Sequence, residues 1–293
     1  MIIYDYNEIK RLPESVARKG CFVKNMPNDI YHSFSGISKS GLDQIADSPA
    51  MYKDRSPYET TRAMVVGSAL HAAILEPHVF EEQYHLLPEV KDRRAAEYKK
   101  VSEMYGKDNV LVKTECENLA AMTDQARRDK DVMAMLGKDG IAELSAFIEC
   151  PETGVLLRCR YDYLIPSIDT CADLKKTKHA GSEDFSKSIG NFRYHVQDAM
   201  YSHIYKLLTG RDLTFKFIAL QETAPHTARV YNLGEYSRMI GFHYFKKGLA
   251  TYADCYSRDW WPHGGSNGEI ELPYWVVNKY EEEVGLFQEF GEE

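Results

Sequence analysis

The chain has 293 residues, of which 44% are hydrophobic and 27% are charged, which predicts an ordinary globular protein rather than a disordered or membrane-spanning one. A formal net charge of -8 at pH 7 argues against indiscriminate nucleic-acid binding, although it leaves room for a local basic channel. The six cysteines form no CxxC pair, which argues against a zinc ribbon or disulfide framework and predicts a reducing compartment. With no secretory signal and no long apolar run, we expect a cytoplasmic protein.

The first half of the chain is predicted to be mainly helical. Residues 1–35 are punctuated by proline and glycine and are predicted to form an irregular lead. A helix is expected to begin at Ser38 as N-cap and to end at Pro49. Three further helices are predicted, over Arg62–Leu75, within Asp92–Tyr105 and from about Thr114 to Leu136.

The second half of the chain alternates strands with helices. Three apolar segments separated by turn signals predict an antiparallel meander over Ala142–Cys150, Val155–Ile165 and Thr170–Leu174. A helix (Phe192–Leu208), two strands (Thr214–Gln221 and Ala228–Asn232) and a long helix (Glu235–Tyr256) follow. This order predicts an α/β (α+β) fold with a mixed central sheet flanked by helices; neither GxGxxG nor GxxxxGK[ST] occurs. We expect one domain over residues 1–293, with its core at 36–258 and a tail at 259–293.

The segment RCRYDYLIPSIDTCADLKKT carries the most informative residues. A hairpin would bring Asp162 beside Asp173, and Asp173 and Lys175 share one strand face because they are two residues apart. Leu174 then faces the core, while its backbone carbonyl can turn toward a metal. Hard oxygen ligands suit Mg²⁺, and a neighbouring lysine can orient or deprotonate an attacking water. A bare Asp-x-Lys triplet is more often a surface ion pair, so the hypothesis needs support from other residues.

Residues on two predicted helices give that support. His71 lies on the most apolar helix, with Gly67 one turn earlier on the same face. A lone histidine on such a helix is usually a core residue, but a neutral imidazole is also a competent metal ligand. Gln197 and Tyr201 lie at i and i+4 of a later helix. The aromatic stripe that contains Tyr201 is expected to pack in the core, whereas a buried amide needs partners such as Lys175, water or a phosphate.

Three other charged residues are candidates for supporting roles beside the Asp162, Asp173 and Lys175 side chains. Glu143, at the head of the first meander strand, is predicted either to support the metal ligands or to pair with a basic side chain. Lys176 and Lys178 extend the basic cluster around Lys175 and are candidates for DNA contact.

Six segments, taken in order, resemble the nuclease domain of the RecE (exonuclease VIII) family: FSGISKSGLDQIADSPAMYK, VGSALHAAILEP, AELSAF, LRCRYDYL, DLKKT and YHVQDAMY. That family is a phage and prophage branch of the PD-(D/E)xK superfamily, which has a restriction-endonuclease-like core and is related to RecB-type nucleases and to lambda exonuclease. The resemblance covers roughly residues 30–210. It implies a metal centre and a catalytic set at these positions: His71, Asp162, Asp173 and the Leu174 carbonyl as metal ligands, Lys175 as catalytic lysine, and Gln197 and Tyr201 as the Q-x-x-x-Y motif.

The resemblance also implies a substrate and partners. Such proteins use Mg²⁺, for which Mn²⁺ is an expected substitute, to digest linear double-stranded DNA from a 5′ end. They leave a 3′ single strand for a RecT-like annealing protein and form a ring, usually a homotetramer. By analogy with lambda exonuclease, Ser38 and Ser40 are candidates to receive the 5′-phosphate at a helix N-terminus, although simple capping explains Ser38.

The chain departs from the family in two respects. The family's DLKTT-type string is DLKKT here, and the added Lys176 is expected on the face opposite Lys175. The long N-terminal region of the enterobacterial relative is absent, so we expect a stand-alone nuclease, encoded by a phage or prophage and acting in the host cytoplasm.

Several alternatives stay open at this stage. A RecB-like or CRISPR-adaptation nuclease with an iron–sulfur cluster needs four converging cysteines, and Cys255 stands alone near the C-terminus, so no cluster is expected. A non-catalytic DNA-end-binding recombination scaffold would lack a catalytic position, whereas all are filled. A RecB-like nuclease of other polarity uses the same residues. The aromatic residues Trp260, Trp261, Tyr274 and Trp275 form either a subunit interface or ordinary packing.

Overall fold

A seven-stranded mixed sheet organises the protein in a computed structural model, which describes residues 2–55, 60–263, 269 and 271–283. Numbered in chain order, the strands of this sheet are β1 (Ile3–Asp5), β2 (Cys21–Lys24), β5 (Ile141–Glu149), β6 (Leu156–Ile165), β7 (Thr170–Thr177), β8 (Thr214–Gln221) and β9 (Ala228–Tyr231), and they lie side by side in that order. A separate parallel pair consists of β3 (His85–Leu87) and β4 (Val110–Val112).

Helices flank the sheet. They are α1 (Tyr6–Ile9), α2 (Glu14–Lys19), α3 (Asn28–Ser33), α4 (Lys39–Asp47), α5 (Pro49–Lys53), α6 (Arg62–Leu75), α7 (Pro77–Gln83), α8 (Ala96–Tyr105), α9 (Lys113–Arg128), α10 (Lys130–Leu136), α11 (Ser182–Asn191), α12 (Tyr194–Thr209), α13 (Glu235–Arg258) and α14 (Tyr274–Glu283). The predicted fold class is confirmed. No helix within the described ranges is long and apolar enough to span a bilayer.

The predicted meander forms the centre of the sheet. β5, β6 and β7 are antiparallel neighbours, β8 joins β7 in parallel, and β9 returns antiparallel to β8. Successive residues alternate between two buried clusters: Cys171 and Phe217 pack on the side of α12 and α13, whereas Ala172 and Ile218 pack on the side of α6 and α9. This two-sided burial explains the continuous apolar run Phe217–Leu220 in β8.

The N-terminal segment differs from its prediction. Residues 2–35 are not an irregular lead, because β2 pairs with β5 and β1 pairs with β2, which extends the sheet by two strands. Cys21, Phe22 and Val23 are fully buried, and Val23 shares a third cluster with Tyr31 and Phe147. A run of three apolar residues between glycine and proline is too short to register as a strand by periodicity.

Several smaller elements also differ from the predictions. The helix expected from about Thr114 to Leu136 is two helices, because the Asp129 side chain accepts hydrogen bonds from the N–H groups of Asp131 and Val132 and starts a new helix there. The helices α5, α7, α11 and α14 and the β3–β4 pair were not predicted.

The aromatic C-terminal residues are not alike. Trp261 stacks on Tyr52 of α5 at 5.7 Å between ring centroids, which is ordinary packing. Trp260, Tyr274 and Trp275 are exposed, and the last two lie on α14 within the predicted tail.

Candidate metal centre

Three carboxylates lie in one row across the meander. Ala142 pairs with Tyr163 and Leu144 pairs with Tyr161, so Glu143 and Asp162 stand opposite each other on β5 and β6. The pairing of β6 with β7 ends at Tyr163 and Ala172, one residue before the position where Asp162 would meet Asp173. Instead, the backbone N–H of Leu174 donates to Oδ2 of Asp162 at 2.8 Å. The row therefore crosses the sheet where β6 and β7 separate.

The backbone of β5 is distorted at Glu143. Its φ is +45°, in the left-handed region that costs a non-glycine residue free energy and is often found at functional sites. Ile141 and Leu144 contact the same hydrophobic cluster although they are three residues apart, so the strand's alternation is broken between them. The distortion brings the Glu143 carboxylate into the group of possible metal ligands, which the strand pattern could not predict.

His71, on helix α6, contacts the same group of carboxylates. Its Nε2 lies 3.1 Å from the Leu174 carbonyl oxygen, and its Nδ1 lies 3.5 Å from Oδ2 of Asp162 and 3.8 Å from Oε1 of Glu143. The helix is held there because Ala69 and Leu70 share a buried cluster with Leu174. Gly67 does not explain the close approach, because a Cβ at this position would meet nothing within 4 Å.

This donor set fits a divalent cation. One ligand atom from each of His71, Glu143 and Asp162 can be chosen so that all lie within 4.8 Å of one another. Adjacent ligands of an octahedral Mg²⁺ stand about 3 Å apart when each lies about 2.1 Å from the ion. Nδ1 of His71 lies 3.5 Å from Oδ2 of Asp162, whereas the Leu174 carbonyl faces the other ring nitrogen, Nε2. Carboxylate and carbonyl oxygens are the ligand types expected for Mg²⁺ or Mn²⁺, and a neutral imidazole is a common ligand of divalent metals.

Asp173 and Lys175 form a buried pair beside this group. The Asp173 side chain is completely buried, and its Oδ1 accepts a hydrogen bond of 2.6 Å from Nε2 of Gln197. Nζ of Lys175 lies 2.5 Å from Oδ2, but the approach is too oblique for a hydrogen bond, and Oδ2 has no hydrogen-bond partner among the described residues. Gln197 thus orients Asp173, rather than the lysine, water or phosphate considered from the sequence. Lys175 also lies over the ring of Tyr194, with Nζ 4.7 Å from its centroid.

The electrostatics of the site favour a bound cation. Burial lowers the pKa of His71, but the carboxylates of Asp162 and Glu143 outweigh it and raise the pKa to about 9. Burial and the neighbouring Asp162 raise the pKa of Asp173 to about 6, against the lowering effect of Lys175. The pKa of Lys175 is raised, because Asp173 and Asp162 outweigh its burial. Without a metal, the carboxylates therefore hold a proton on His71, in the place where a cation would supply the positive charge.

Tyr201 and the two additional lysines lie at the edge of this arrangement. The Tyr201 ring packs edge-on against Tyr161 and Phe215, and its carbonyl accepts a hydrogen bond from the Tyr161 hydroxyl. Lys176 pairs with Glu222 at 2.8 Å, and Lys178 is exposed. Tyr201 therefore has the packing contacts expected of the aromatic stripe, whereas Tyr194, which the sequence analysis did not single out, contacts Lys175.

Ser38 and Ser40 line a basic cavity near the site. Ser38 caps α4 by accepting from the N–H of Gly41 at 3.4 Å, and its hydroxyl lies 3.0 Å from that of Ser40. The cavity has a volume of about 600 Å³, and its lining includes Lys53, Arg55 and Arg158. Lys39 lies between the two serines in the sequence, and its Nζ is 5.9 Å from the centroid of the Tyr194 ring that Lys175 also contacts.

Comparison with known proteins identifies the family. The model of the family described as "PDDEXK-like domain of unknown function (DUF3799)" matches residues 37–272, a span that contains every residue of the candidate site. The chain belongs to this PDDEXK-like family. The resemblance to PD-(D/E)xK nucleases is therefore confirmed, and membership supports a nuclease.

One solved structure shares the fold of this PDDEXK-like protein. A crystal structure from Eubacterium rectale, named "putative exonuclease", has a TM-score of 0.59 at 16% identity and covers 87% of this chain and 98% of its own. At that identity the likeness shows the fold alone. The crystal structure of SSO0001, at 12% identity, covers 63% of this chain and 86% of its own. Its TM-score of 0.28 is too low to indicate a shared fold. No curated protein matches the sequence.

Proposed function

We propose that this PDDEXK-like protein is a Mg²⁺-dependent exodeoxyribonuclease that degrades linear double-stranded DNA from its 5′ ends. The observation that supports this proposal is the convergence of four donors, from His71, Glu143, Asp162 and the Leu174 carbonyl, beside the buried Asp173–Lys175 pair. Metal-dependent phosphodiester hydrolysis uses this combination, because the cation meets the phosphate next to a group that handles the attacking water.

Each residue has a definite part in this proposal. When bound, the cation would neutralise charge on the phosphate and lower the pKa of a coordinated water. His71, Glu143, Asp162, Asp173 and the Leu174 carbonyl are the candidate ligands, and Asp173 is held in place by Gln197. Lys175 carries its amine at the edge of the ligand group, where it can orient the water or stabilise charge on the phosphate.

The exonuclease activity and its polarity rest on separate support. The structural neighbour from Eubacterium rectale is itself named as an exonuclease, and the segments around the site resemble the RecE family. The basic cavity at the start of α4 offers Ser38 and Ser40, with Lys53 and Arg55, to a terminal 5′-phosphate. Lys176 and Lys178 are candidates for contacts with the DNA backbone.

The biological setting follows from the same resemblance. We expect the product to be a duplex with 3′ single-stranded tails, which a RecT-like annealing protein would use for recombination. A homotetrameric ring around the DNA would account for processive digestion. Mn²⁺ is expected to replace Mg²⁺, and the host cytoplasm is the expected compartment.

Digestion of end-labelled linear duplex tests the proposal. With Mg²⁺, a 5′-phosphorylated duplex labelled at its 5′ ends should release labelled mononucleotides at once, whereas a 3′ label should be retained until late. EDTA should abolish digestion, and covalently closed circular DNA should resist it. Cleavage of the circle, or early release of the 3′ label, would contradict the proposed activity, as would intact linear DNA in both Mg²⁺ and Mn²⁺.

A further inference from the structure

We propose that Tyr194 is a positioning residue for Lys175: its ring holds the lysine ammonium beside Asp173 through a cation–π contact. The inference rests on the proposed nuclease function, since that function gives Lys175 its catalytic role. Nζ of Lys175 lies 4.7 Å from the ring centroid, well inside the roughly 6 Å range of such contacts.

The ring is itself firmly placed. Tyr194 is stacked with Phe192 at 5.6 Å and with Phe217 at 5.9 Å between ring centroids, and the interplanar angle is 26° in both cases. Phe217 is fully buried on β8, directly opposite Asp173 in the register of β7 and β8. The ring is therefore anchored to the strand next to the one that carries the catalytic lysine.

The position of Tyr194 on α12 connects it to the same pair that Gln197 orients. The two residues are three apart in the first turn of the helix, so their side chains leave the same face. Gln197 donates to the Asp173 carboxylate, and Tyr194 lies under the Lys175 ammonium. One helical turn thus holds both members of the buried pair.

Lysine needs such a second contact because its four-carbon stem is flexible. Asp173 alone would leave the amine free to swing about a single ion-pair contact, and small displacements of a catalytic group are costly to turnover. A second ammonium, that of Lys39, lies 5.9 Å from the same ring centroid and is fixed by Asp43 at 2.7 Å. The ring of Tyr194 therefore lies within reach of two ammonium groups, of which Lys175 is the nearer.

Substitution series at position 194 separate this role from packing. Tyr194→Phe keeps the ring and should retain kcat within about twofold, whereas Tyr194→Leu should lower kcat on linear duplex by roughly tenfold or more, with KM changed less than about twofold. Phenylalanines of increasing fluorine content at position 194 keep the ring's shape but weaken its attraction for a cation, so kcat should fall stepwise along the series. An unchanged kcat along the fluorinated series, or a loss that is entirely in KM, would overturn the proposal.

A stability measurement tests the contact without catalysis. In a double-mutant cycle of Tyr194→Phe(fluorinated) and Lys175→Met, followed by thermal unfolding in EDTA, the two Tm shifts should be non-additive. The matched cycle with Lys176→Met should be additive, because Lys176 pairs with Glu222 instead. Additive shifts at Lys175 would refute the positioning role. If the wild-type protein cleaves no DNA, the nuclease proposal fails while this cycle still decides whether the contact exists.

Discussion

The two sides of the candidate site are built differently. On the α6 side, the His71 and Glu143 side chains are 26% and 31% exposed, whereas on the α12 side the Asp173 side chain has no exposed surface. On the first side the ligand atoms are partly exposed to solvent. The positive charge there is the proton on His71, which can exchange with solvent. The second side is fixed by Gln197 and by the ring of Tyr194. We therefore expect a cation to enter from the exposed side, while the buried side keeps a fixed geometry.

The largest expected effect is on the fixed side. Lys175→Ala should lower kcat by roughly 10²–10⁴-fold, because it removes the group that handles the water or stabilises the phosphate. Initial rates on linear duplex at saturating Mg²⁺ measure this. Lys176→Ala, at the adjacent position, is the matched control: a contact with the DNA backbone would contribute to KM, so this variant should retain kcat at saturating DNA. Equal losses in the two variants would remove the distinction between the catalytic lysine and its neighbour.

Asp173→Asn should show a comparable loss of turnover with the fold intact. The amide keeps the size of the side chain but lacks the charge that attracts both Lys175 and a cation. Mg²⁺ titration and turnover on one preparation distinguish loss of cation binding from loss of the Lys175 contact, and circular dichroism checks the fold. Near-wild-type turnover in a folded Asp173→Asn variant would exclude Asp173 from the centre.

The exposed side should show its effect in cation affinity. His71→Ala should weaken Mg²⁺ binding by roughly 10–100-fold, and part of the lost activity should return at high Mg²⁺ concentration. Activity against Mg²⁺ concentration measures this shift. If the midpoint is unmoved, His71 is not a ligand.

Cation binding should also depend on pH. The pKa of His71 is raised to about 9, so below that pH a proton occupies the imidazole and must leave before a metal binds. Affinity for Mg²⁺ should therefore rise as pH increases from about 6.5 to 9, with proton release that calorimetry in buffers of different ionisation enthalpy detects. His71→Ala should lose this dependence, and a wild-type affinity that is flat across this window would contradict the assignment.

The distorted backbone at Glu143 predicts the smallest effect. Because its φ is +45°, Glu143→Gly should be more stable than Glu143→Ala by about 1 kcal/mol. Both variants should lose the carboxylate's contribution to Mg²⁺ affinity to the same degree. Urea unfolding of the two variants in EDTA makes the comparison. Equal stabilities would mean that β5 relaxes locally and stores no strain there.

Sequence patterns could predict the site where regular geometry applies. Asp173 and Lys175 share a strand face because strands alternate every two residues. The pairing of β6 with β7 ends one residue before Asp162 would meet Asp173, and Asp173 is not among the residues whose ligand atoms gather with those of Asp162. Glu143 joins the ligand group only through a left-handed residue, which no strand pattern encodes. Tyr194 was missed because the motif spacing drew attention to Tyr201, four residues after Gln197, whereas the residue three before it contacts Lys175.

The same difference between regular and irregular geometry decided which elements of the fold could be predicted. The helix Arg62–Leu75 and the meander strands are long enough for their apolar patterns to be recognised in the sequence. They were predicted close to their observed bounds. The strand Cys21–Lys24 and the capping role of Asp129 depend on tertiary pairing and on one side chain, respectively. Neither leaves a periodic signal in the sequence.

A crystal soaked in Mn²⁺, with the ion located by its anomalous scattering, tests the central claim most directly. The account predicts a peak bound by His71, Asp162 and the Leu174 carbonyl at about 2.1 Å, with Lys175 at its edge. A peak elsewhere, or none at a concentration that supports activity, would contradict it.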